Sequence, residues 1–183
     1  MKVNAYLTEG FETVEALAVV DILRRAGVEV DTVSVTGDLN VKSAQDIIVK
    51  ADRLFDKASE EADAVFLPGG PGSLDFEEMK DLKEVVLEHN DAGKVIAAIC
   101  AAPSVLGHWG LLKGKNATCF PGFEKALTGA KVLKAPARVV VDGNIFTARG
   151  MGTAIDLGLA LTGVLIGEEE AEKLGVDIQY IDK

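Results

Sequence analysis

Apolar runs of strand length alternate with amphipathic stretches of helical length along this chain, and this alternation limits the possible folds more than any other feature. The runs VNAYL at residues 3–7 and VIAAI at 95–99 are typical of strands that are buried on both faces. Between such runs lie segments with apolar residues at helical spacing, as at residues 12–26, where Gly27 marks the end of a helix. Alternating strands and helices predict a parallel sheet with helices on both faces.

The same reasoning places the other elements. We expect strands at residues 28–35 and 64–68, a hairpin or edge strand at 41–49, helices at 74–89, from Cys100 to about Leu112, at 153–165 and at 167–175, and a hairpin with its turn at 142–144. The expected fold is therefore α/β, with a single doubly wound, mostly parallel sheet flanked by helices. Since 183 residues with 48% hydrophobic content suffice for one core and are few for two, we expect residues 1–183 to form one domain.

Charge and composition argue against several classes of function. The 19 basic and 29 acidic residues give a net charge of −10, and no stretch gathers Lys and Arg, so we expect no nucleic-acid partner. No apolar run reaches the ~18 residues of a membrane span, and the opening MKVNAYLTEG does not resemble a signal peptide, so we expect a cytoplasmic protein with no membrane partner. The two cysteines, Cys100 and Cys119, lie outside any metal-binding spacing, which predicts neither a metal site nor a structural disulfide.

The stretch VIAAICAAPSVLG places Cys100 at the junction of a predicted strand and a predicted helix. A residue on such a sharp turn, a nucleophile elbow, needs small neighbours two positions away, and Ala98 and Ala102 meet that need. Pro103 fixes a helical φ and leaves free backbone N–H groups at the start of the helix. Because a helix N-terminus lowers a thiol pKa, we expect a reactive thiolate at Cys100; the alternative is a buried cysteine that only fills space.

Five segments resemble one protein family in combination, and they extend over nearly the whole chain: EGFETVEALAVVDILRRAG, VFLPGGPGS, AAICAAP, ATCFPGFE and TARGMGTAIDLGLAL. The family is the ThiJ/PfpI superfamily, and the chain is most similar to its parkinsonism-associated deglycase (DJ-one) branch with its bacterial members. This resemblance implies a flavodoxin-like fold, akin to class I glutamine amidotransferases, a homodimer, and activity without a cofactor. It also implies that Cys100 is the reactive cysteine, that Glu15 hydrogen-bonds to it, and that the Gly70 and Ala101 amides form an oxyanion site.

Physical chemistry adds a condition to the role of Glu15. An ionised carboxylate beside Cys100 raises the thiol pKa, whereas a protonated one can donate a hydrogen bond to the thiolate. We therefore expect Glu15 to be partly buried, with a raised pKa. The alternative from spacing alone is that Glu12 and Glu15 only place negative charge in the first turn of an exposed helix.

The two histidines do not suit a cysteine protease. His89 is expected to be a solvated residue near a helix end, and His108 lies too far along the helix after Cys100 to act as its base. The protease-like branch of the family carries a histidine directly after its cysteine, where this chain has Ala101. Peptidase or amidase activity is therefore expected only if a partner subunit supplies a histidine.

Several further positions have two interpretations each. Phe120 and Gln45 stand where animal members of the deglycase branch have a histidine and an arginine, and we interpret Phe120 as a pocket wall, with a core aromatic as the alternative. The turn that contains Gly69 is interpreted as a nest of N–H groups facing Cys100, and otherwise as a plain connection. Arg149 is a candidate for anion or subunit contact, or for a structural ion pair. Cys119 is expected to be buried in a strand, and otherwise to be a resolving thiol.

These features support two functions ahead of the hydrolase. The first is a cofactor-independent glyoxalase or deglycase that acts on small reactive carbonyl compounds through Cys100, with Glu15 as proton shuttle. The second is a sensor of oxidative stress or a redox-regulated chaperone, in which peroxide oxidises Cys100.

Overall fold

The structure, a computed structural model, describes residues 1–182. Its strands are β1 (Lys2–Leu7), β2 (Glu29–Ser34), β3 (Asn40–Lys42), β4 (Ile48–Lys50), β5 (Arg53–Leu54), β6 (Ala64–Leu67), β7 (Val95–Ile99), β8 (Asn116–Ala117), β9 (Lys131–Val132), β10 (Val139–Asp142) and β11 (Ile145–Ala148). Its α-helices are α1 (Thr13–Arg25), α2 (Lys80–Asp91), α3 (Ala102–His108), α4 (Ala154–Leu165) and α5 (Glu168–Asp177).

The main sheet has seven strands in the order β10-β11-β7-β6-β1-β2-β5. Neighbouring strands pair in parallel, except that β10 is antiparallel to β11. The short strands β3 and β4 form a separate antiparallel hairpin, and β8 pairs with β9 in parallel. The topology confirms the predicted doubly wound, mostly parallel sheet and the hairpins expected near residues 41–49 and 142–144.

Apolar cores lie on both faces of the main sheet. On β7, Ala97 and Ile99 belong to the core that includes α1 and α4, whereas Ile96 and Ala98 belong to the core that includes α2 and α3. Because successive side chains of a strand point to opposite faces, a strand covered on both faces must be apolar at nearly every position. This requirement explains the uninterrupted run VIAAI.

Helices α1 and α4 pack closely against each other. A side chain at Gly158 of α4 would bring its Cβ to 2.9 Å from Ile22 of α1, so the absence of a Cβ permits the close approach. The position of α1 on the sheet is therefore fixed by α4 as well as by the strands beneath it.

Two predicted helices differ from the observed ones. The first residues of the helix expected at 74–89 belong to a 3-10 segment, Pro71–Glu78, and α2 begins only at Lys80. The helix after Cys100 ends at His108, since Gly110 adopts a left-handed φ of 82°. The short strands β5, β8 and β9 were not predicted, because two residues are too few to show a periodicity.

The strand order reverses beside β1, with β2 on one side and β6 on the other. The carboxyl ends of the strands at such a point border a crevice where α/β proteins bind ligands. The loop after β1 leads into α1, the turn after β6 carries Gly69 and Gly70, and Cys100 follows β7 at the same edge. The Glu12 amide donates to the Gly69 carbonyl over 2.9 Å and so fastens the start of α1 to the glycine turn.

Candidate active site

Cys100 lies on a sharp turn between β7 and α3. Its φ is 65°, in the left-handed region that residues with a side chain adopt only at a cost. The Cys100 amide donates to the Ala148 carbonyl over 2.9 Å, and the Cys100 carbonyl accepts from the Phe120 amide over 2.8 Å. Ala98 and Ala102 are fully buried, as the crowded turn requires. The turn has the elbow geometry that the sequence predicted, and it leaves the thiol partly exposed.

The Cys100 sulfur is close to one carboxyl group and to two backbone amides. Burial raises the pKa of the thiol to about 12, and ionised Glu15 beside it acts in the same direction. The amides of Gly70 and Ala101 hydrogen-bond to the sulfur and oppose this shift. The prediction of a lowered thiol pKa is therefore wrong for the state in which Glu15 is ionised, because burial and like charge outweigh the helix start.

Glu15 lies in the first turn of α1, yet only 1% of its surface is exposed. Burial raises the pKa of its carboxyl to about 7, against the effect of the hydrogen bond from Cys100 and of weaker contacts with the Gly69 and Met151 amides. Glu12, whose carboxylate accepts from the Glu15 amide over 2.6 Å, adds to the rise through its charge. The expected burial and raised pKa of Glu15 are thus observed, and the exposed-helix interpretation is wrong for it.

One oxygen of the Glu15 carboxyl, Oε2, is buried and has no hydrogen bond of good geometry within residues 1–182. A bare carboxylate oxygen in that position is costly, whereas a protonated one can donate to a nearby acceptor. When Glu15 holds the proton, its repulsion of a Cys100 thiolate disappears and the contact becomes a hydrogen bond to the sulfur. The geometry therefore allows one proton to be shared between the two side chains.

The glycine turn after β6 is shaped by this contact. A Cβ at Gly69 would lie 2.3 Å from Glu15 Oε2 and 2.4 Å from Cys100 Cβ. Gly70 has φ 95°, and a Cβ there would lie 2.5 Å from both the Glu12 amide nitrogen and the Gly10 carbonyl oxygen. Both positions must lack a side chain for the turn to reach the sulfur, which is more than a plain connection needs.

Phe120 and Gln45 occupy different places around the site. The Phe120 side chain is 47% exposed, so the core-aromatic interpretation is wrong. A Cβ at Gly150 would lie 3.2 Å from the edge of the Phe120 ring and 3.6 Å from Glu15 Oε1. The ring and the carboxyl therefore lie near the same point, and the ring forms a wall beside the carboxyl. Gln45 instead accepts hydrogen bonds from the amide and hydroxyl of Thr13, at the start of α1.

Both histidines have partners away from Cys100. His89 is buried in the last turn of α2, and its Nδ1 lies 2.9 Å from the Val85 carbonyl, so the expectation of a solvated side chain is wrong. It is buried because α2 packs on the sheet through that face. His108 Nδ1 lies 2.7 Å from Glu77 Oε1. Neither side chain hydrogen-bonds to the thiol.

Arg149 and Cys119 line a cavity of about 220 Å³ next to the elbow. Arg149 follows β11, and its guanidinium forms no hydrogen bond or ion pair with any residue that the structure describes, so the ion-pair interpretation is wrong. Cys119 is 4% exposed and is a free thiol, buried as expected but in a loop and not in a strand. Burial raises its pKa to about 11.

Sequence reasoning missed two contributors. The Met151 amide reaches the Glu15 carboxyl, and Thr118 lines the cavity beside Cys119. Both lie within motifs that the sequence singled out, TARGMGT and ATCFPGFE. The Met151 contact is made by the main chain and so leaves no mark on residue type, and the cavity beside Thr118 forms only where distant loops meet.

Within residues 1–182, no helix is both long and apolar enough to cross a membrane. The same part of the chain holds no group of three or more His, Cys, Asp or Glu side chains arranged to bind a metal ion.

Comparison with known proteins gives this geometry a context. The model of the DJ-1/PfpI family matches residues 1–163. The chain belongs to the DJ-1/PfpI family. Its curated relatives include DJ-1 homolog A from Arabidopsis thaliana, 37% identical over 92% of this chain and 44% of that protein, and dj-1beta from Drosophila melanogaster, 35% identical over 92% of this chain and 91% of that protein. The chain thus spans less than half of the Arabidopsis relative.

Solved structures of DJ-1 proteins share the fold. A cysteine-to-alanine mutant of a DJ-1 superfamily protein from Salmonella typhimurium matches with a TM-score of 0.92 and 35% identity, over 99% of both chains. Oxidized DJ-1 from Toxoplasma gondii matches with the same TM-score and 34% identity, again over 99% of both chains. These matches confirm the predicted flavodoxin-like fold and the predicted family.

The DJ-1/PfpI relatives also include an enzyme with a stated reaction. An isonitrile hydratase from Pseudomonas putida is 30% identical over 64% of this chain and 52% of that protein. The family therefore contains catalysts as well as proteins named only as DJ-1 homologues, and the chemistry of this member must be argued from its own side chains.

Proposed function

We propose that this chain is a cysteine-dependent enzyme that acts on small reactive carbonyl compounds, as a cofactor-independent glyoxalase or deglycase. One observation carries the proposal: the Cys100 sulfur is in hydrogen-bonding contact with the Glu15 carboxyl and with the backbone amides of Gly70 and Ala101. These are a nucleophile, a proton acceptor and two hydrogen-bond donors around one point, which is the set that addition to a carbonyl group requires.

In the first step the sulfur adds to the aldehyde carbon of a substrate such as methylglyoxal. A carbon–sulfur bond forms, the carbonyl π bond breaks, and its electron pair moves to oxygen. The thiol proton passes to Glu15, whose pKa of about 7 suits proton exchange at neutral pH. In this proposal the Gly70 and Ala101 amides stabilise the oxygen as it gains charge, and Glu15 then returns the proton to give a neutral hemithioacetal.

The hemithioacetal of methylglyoxal can rearrange without any external oxidant. Glu15 moves a proton from the former aldehyde carbon to the neighbouring carbon atom, and the hydroxyl proton of the former aldehyde carbon passes to the neighbouring oxygen. The neighbouring carbonyl thereby becomes a hydroxyl, the former aldehyde carbon becomes a carbonyl, and the product is a lactoyl thioester of Cys100. Water then cleaves the carbon–sulfur bond, lactate leaves, and the thiol is restored. The net reaction consumes methylglyoxal and water and produces lactate.

The test is the rate of lactate formation from methylglyoxal by purified protein. We expect the wild type to produce lactate and Cys100→Ser to reduce the rate by at least about a hundredfold, since the hydroxyl of serine is a far weaker nucleophile here. Glu15→Gln, which keeps the shape of the side chain but cannot accept a proton, is expected to reduce kcat by about 10²–10⁴-fold. Equal rates for the wild type and Cys100→Ser would contradict the proposal.

A second candidate function is oxidation of Cys100 by peroxide as a stress signal. The same contacts favour it, because a protonated Glu15 can donate to an oxidised sulfur. The thiolate attacks a peroxide oxygen, the O–O bond breaks, and a sulfenic acid and an alcohol or water result; a second peroxide gives the sulfinic acid. Peptide mass spectrometry after mild peroxide treatment should show two added oxygen atoms on Cys100 and not on the buried Cys119. An unmodified Cys100 would rule this function out.

Cysteine hydrolysis of amide bonds has less support, because His89 and His108 both have partners elsewhere. The homodimer and the cytoplasmic location stay predictions.

A further inference from the structure

The cavity beside Cys100 is built from three segments that meet at the carboxyl edge of the sheet. Thr118 and Cys119 follow β8, Lys134 follows β9, and Arg149 follows β11. Pro121 and Leu133 close the apolar part of the wall. The volume of about 220 Å³ is enough for a short carbon chain with a polar end group and too small for a nucleotide.

Two residues of the cavity wall directly neighbour, in the chain, residues that hydrogen-bond to the Cys100 backbone. The Phe120 amide donates to the Cys100 carbonyl over 2.8 Å, and Cys119 directly precedes Phe120. The Cys100 amide donates to the Ala148 carbonyl over 2.9 Å, and Arg149 directly follows Ala148. Two residues of the cavity wall, Cys119 and Arg149, are thus chain neighbours of the two residues that hydrogen-bond to the Cys100 main chain.

Two polar side chains of the cavity wall, those of Arg149 and Thr118, form no hydrogen bond with the residues that the structure describes. The Arg149 guanidinium makes no hydrogen bond or ion pair with any described residue, and its main-chain amide alone is bonded, to the Arg138 carbonyl. Thr118 is 1% exposed, its amide donates to the Thr147 hydroxyl over 3.0 Å, and its own hydroxyl forms no hydrogen bond with the described residues. The Arg149 guanidinium and the Thr118 hydroxyl are therefore both available to a ligand in the cavity.

The one carboxylate at the cavity does not neutralise Arg149. Glu124 accepts a hydrogen bond from the Gly122 amide over 2.8 Å. Its own backbone amide and that of Gly122 lower its pKa, and Lys134 adds to the effect. With two cations and one such carboxylate, the cavity keeps one positive charge, which matches a single carboxylate on a ligand.

We infer that this cavity binds the carboxylate of the substrate, so that the preferred carbonyl compounds are dicarbonyl acids and not neutral dicarbonyls. Arg149 offers two parallel N–H groups to the two carboxylate oxygens, Thr118 adds its hydroxyl, and Lys134 adds charge. The inference names the substrate class of the proposed enzyme and in that sense rests on the proposed function. The binding step can nevertheless be measured without any catalysis.

The binding test uses Cys100→Ser protein, which cannot form the thioester, and follows backbone amide NMR signals at constant ionic strength. Butyrate is expected to shift the signals of Thr118, Cys119 and Arg149, while butyramide, its uncharged isostere, is not. Adding Arg149→Gln should weaken butyrate binding by about tenfold or more. Adding Arg25→Gln, which removes the same charge from an exposed side chain at the end of α1, should leave binding unchanged. Equal binding of butyrate and butyramide, or no loss with Arg149→Gln, would overturn the inference.

The kinetic test compares methylglyoxal with a dioxopentanoate that carries the same dicarbonyl group at one end and a carboxylate at the other. The ratio of kcat/KM for the acid to that for methylglyoxal should exceed one in the wild type, and should fall by about tenfold in Arg149→Gln, mainly through KM for the acid. The ratio should not change in Arg25→Gln. A wild-type preference for methylglyoxal would overturn the inference and leave the proposed function standing. If neither compound is consumed while butyrate binds as described, the proposed function fails and the carboxylate site remains.

Discussion

Glu15 and Cys100 form one titrating pair, because each lies within hydrogen-bonding distance of the other and both are withdrawn from water. Protons leave such a pair in steps that belong to the pair and not to either residue. The sequence alone predicted the burial and raised pKa of Glu15, once the family motif placed it beside Cys100. It did not predict the raised thiol pKa, because burial depends on how α1 covers the elbow and not on the motif AAICAAP.

We expect the alkylation rate of Cys100 by iodoacetamide to rise with pH in a first step near pH 7. The carboxyl pKa of about 7 sets the loss of the first proton from the pair, after which the remaining proton is shared and part of the population carries a thiolate. Glu15→Gln removes the second titrating group and its charge, so a single step should remain at a pH above the first step and below the thiol pKa of about 12. Peptide mass spectrometry of the modified Cys100 measures both rates.

The same digests provide a control, since Cys119 is buried and far less reactive at every pH. A Glu15→Gln profile with an unchanged first step near pH 7 would show that Glu15 is not the group that titrates there.

The elbow between β7 and α3 concentrates strain at one residue. Its φ of 65° is held by hydrogen bonds on both sides, to Ala148 and from Phe120. For a residue with a side chain, a left-handed φ costs ~1–2 kcal/mol. The structure keeps a cysteine at a position where glycine would be more stable, as expected where a reactive side chain has to stand above a sheet.

Comparison of Cys100→Gly with Cys100→Ala isolates this strain. Both variants lose the thiol, but only glycine relieves the left-handed backbone, so we expect Cys100→Gly to be the more stable by about 1 kcal/mol in urea unfolding. The matched control is Ala102→Gly in α3, where the backbone is helical and glycine should destabilise by about 1 kcal/mol. A lower stability of Cys100→Gly than of Cys100→Ala would show that the turn carries no strain.

Among the helices and strands, sequence patterns were sufficient to predict an element where its buried residues recur at regular spacing. The continuous apolar run of β7 and the helical spacing of α1 both reflect contact with a core, and both were predicted with nearly correct bounds. The prediction of an α-helix from residue 74 onward is wrong for residues 74–78, because composition does not distinguish 3-10 from α geometry. The cavity was not predicted, because it forms where loops after β8, β9 and β11 meet across long sequence separations.

Ionisation of the buried Glu15 carboxyl lowers the unfolding free energy of the whole protein. Glu15 has a raised pKa in the folded protein, so the folded state keeps a proton that the unfolded state loses between the ordinary value of 4.5 and about 7. Stability therefore falls as pH rises through this range, and the cost is complete above pH 7. The net charge of −10 adds a second effect, because it repels anions at long range.

Replacing Glu15 by glutamine should remove the pH-dependent cost. We expect the unfolding free energy of Glu15→Gln, relative to wild type, to increase by about 3 kcal/mol between pH 4.5 and pH 8, from the conversion of the pKa difference. Urea denaturation at both pH values measures it. Glu172→Gln, at an exposed position of α5, should show no such increase. A relative stability that stays constant with pH would mean that Glu15 titrates alike in the folded and unfolded protein.

The donors around the sulfur are main-chain groups of Gly70 and Ala101, with those of Gly69 and Met151 behind the carboxyl. The positions of these donors depend on the backbone conformation, so most side-chain substitutions nearby leave them in place. The cavity walls, in contrast, consist of side chains such as Thr118, Lys134 and Arg149, and each can be exchanged by a single mutation. A single mutation in the cavity wall can therefore alter which ligands fit there without displacing the main-chain donors around the sulfur.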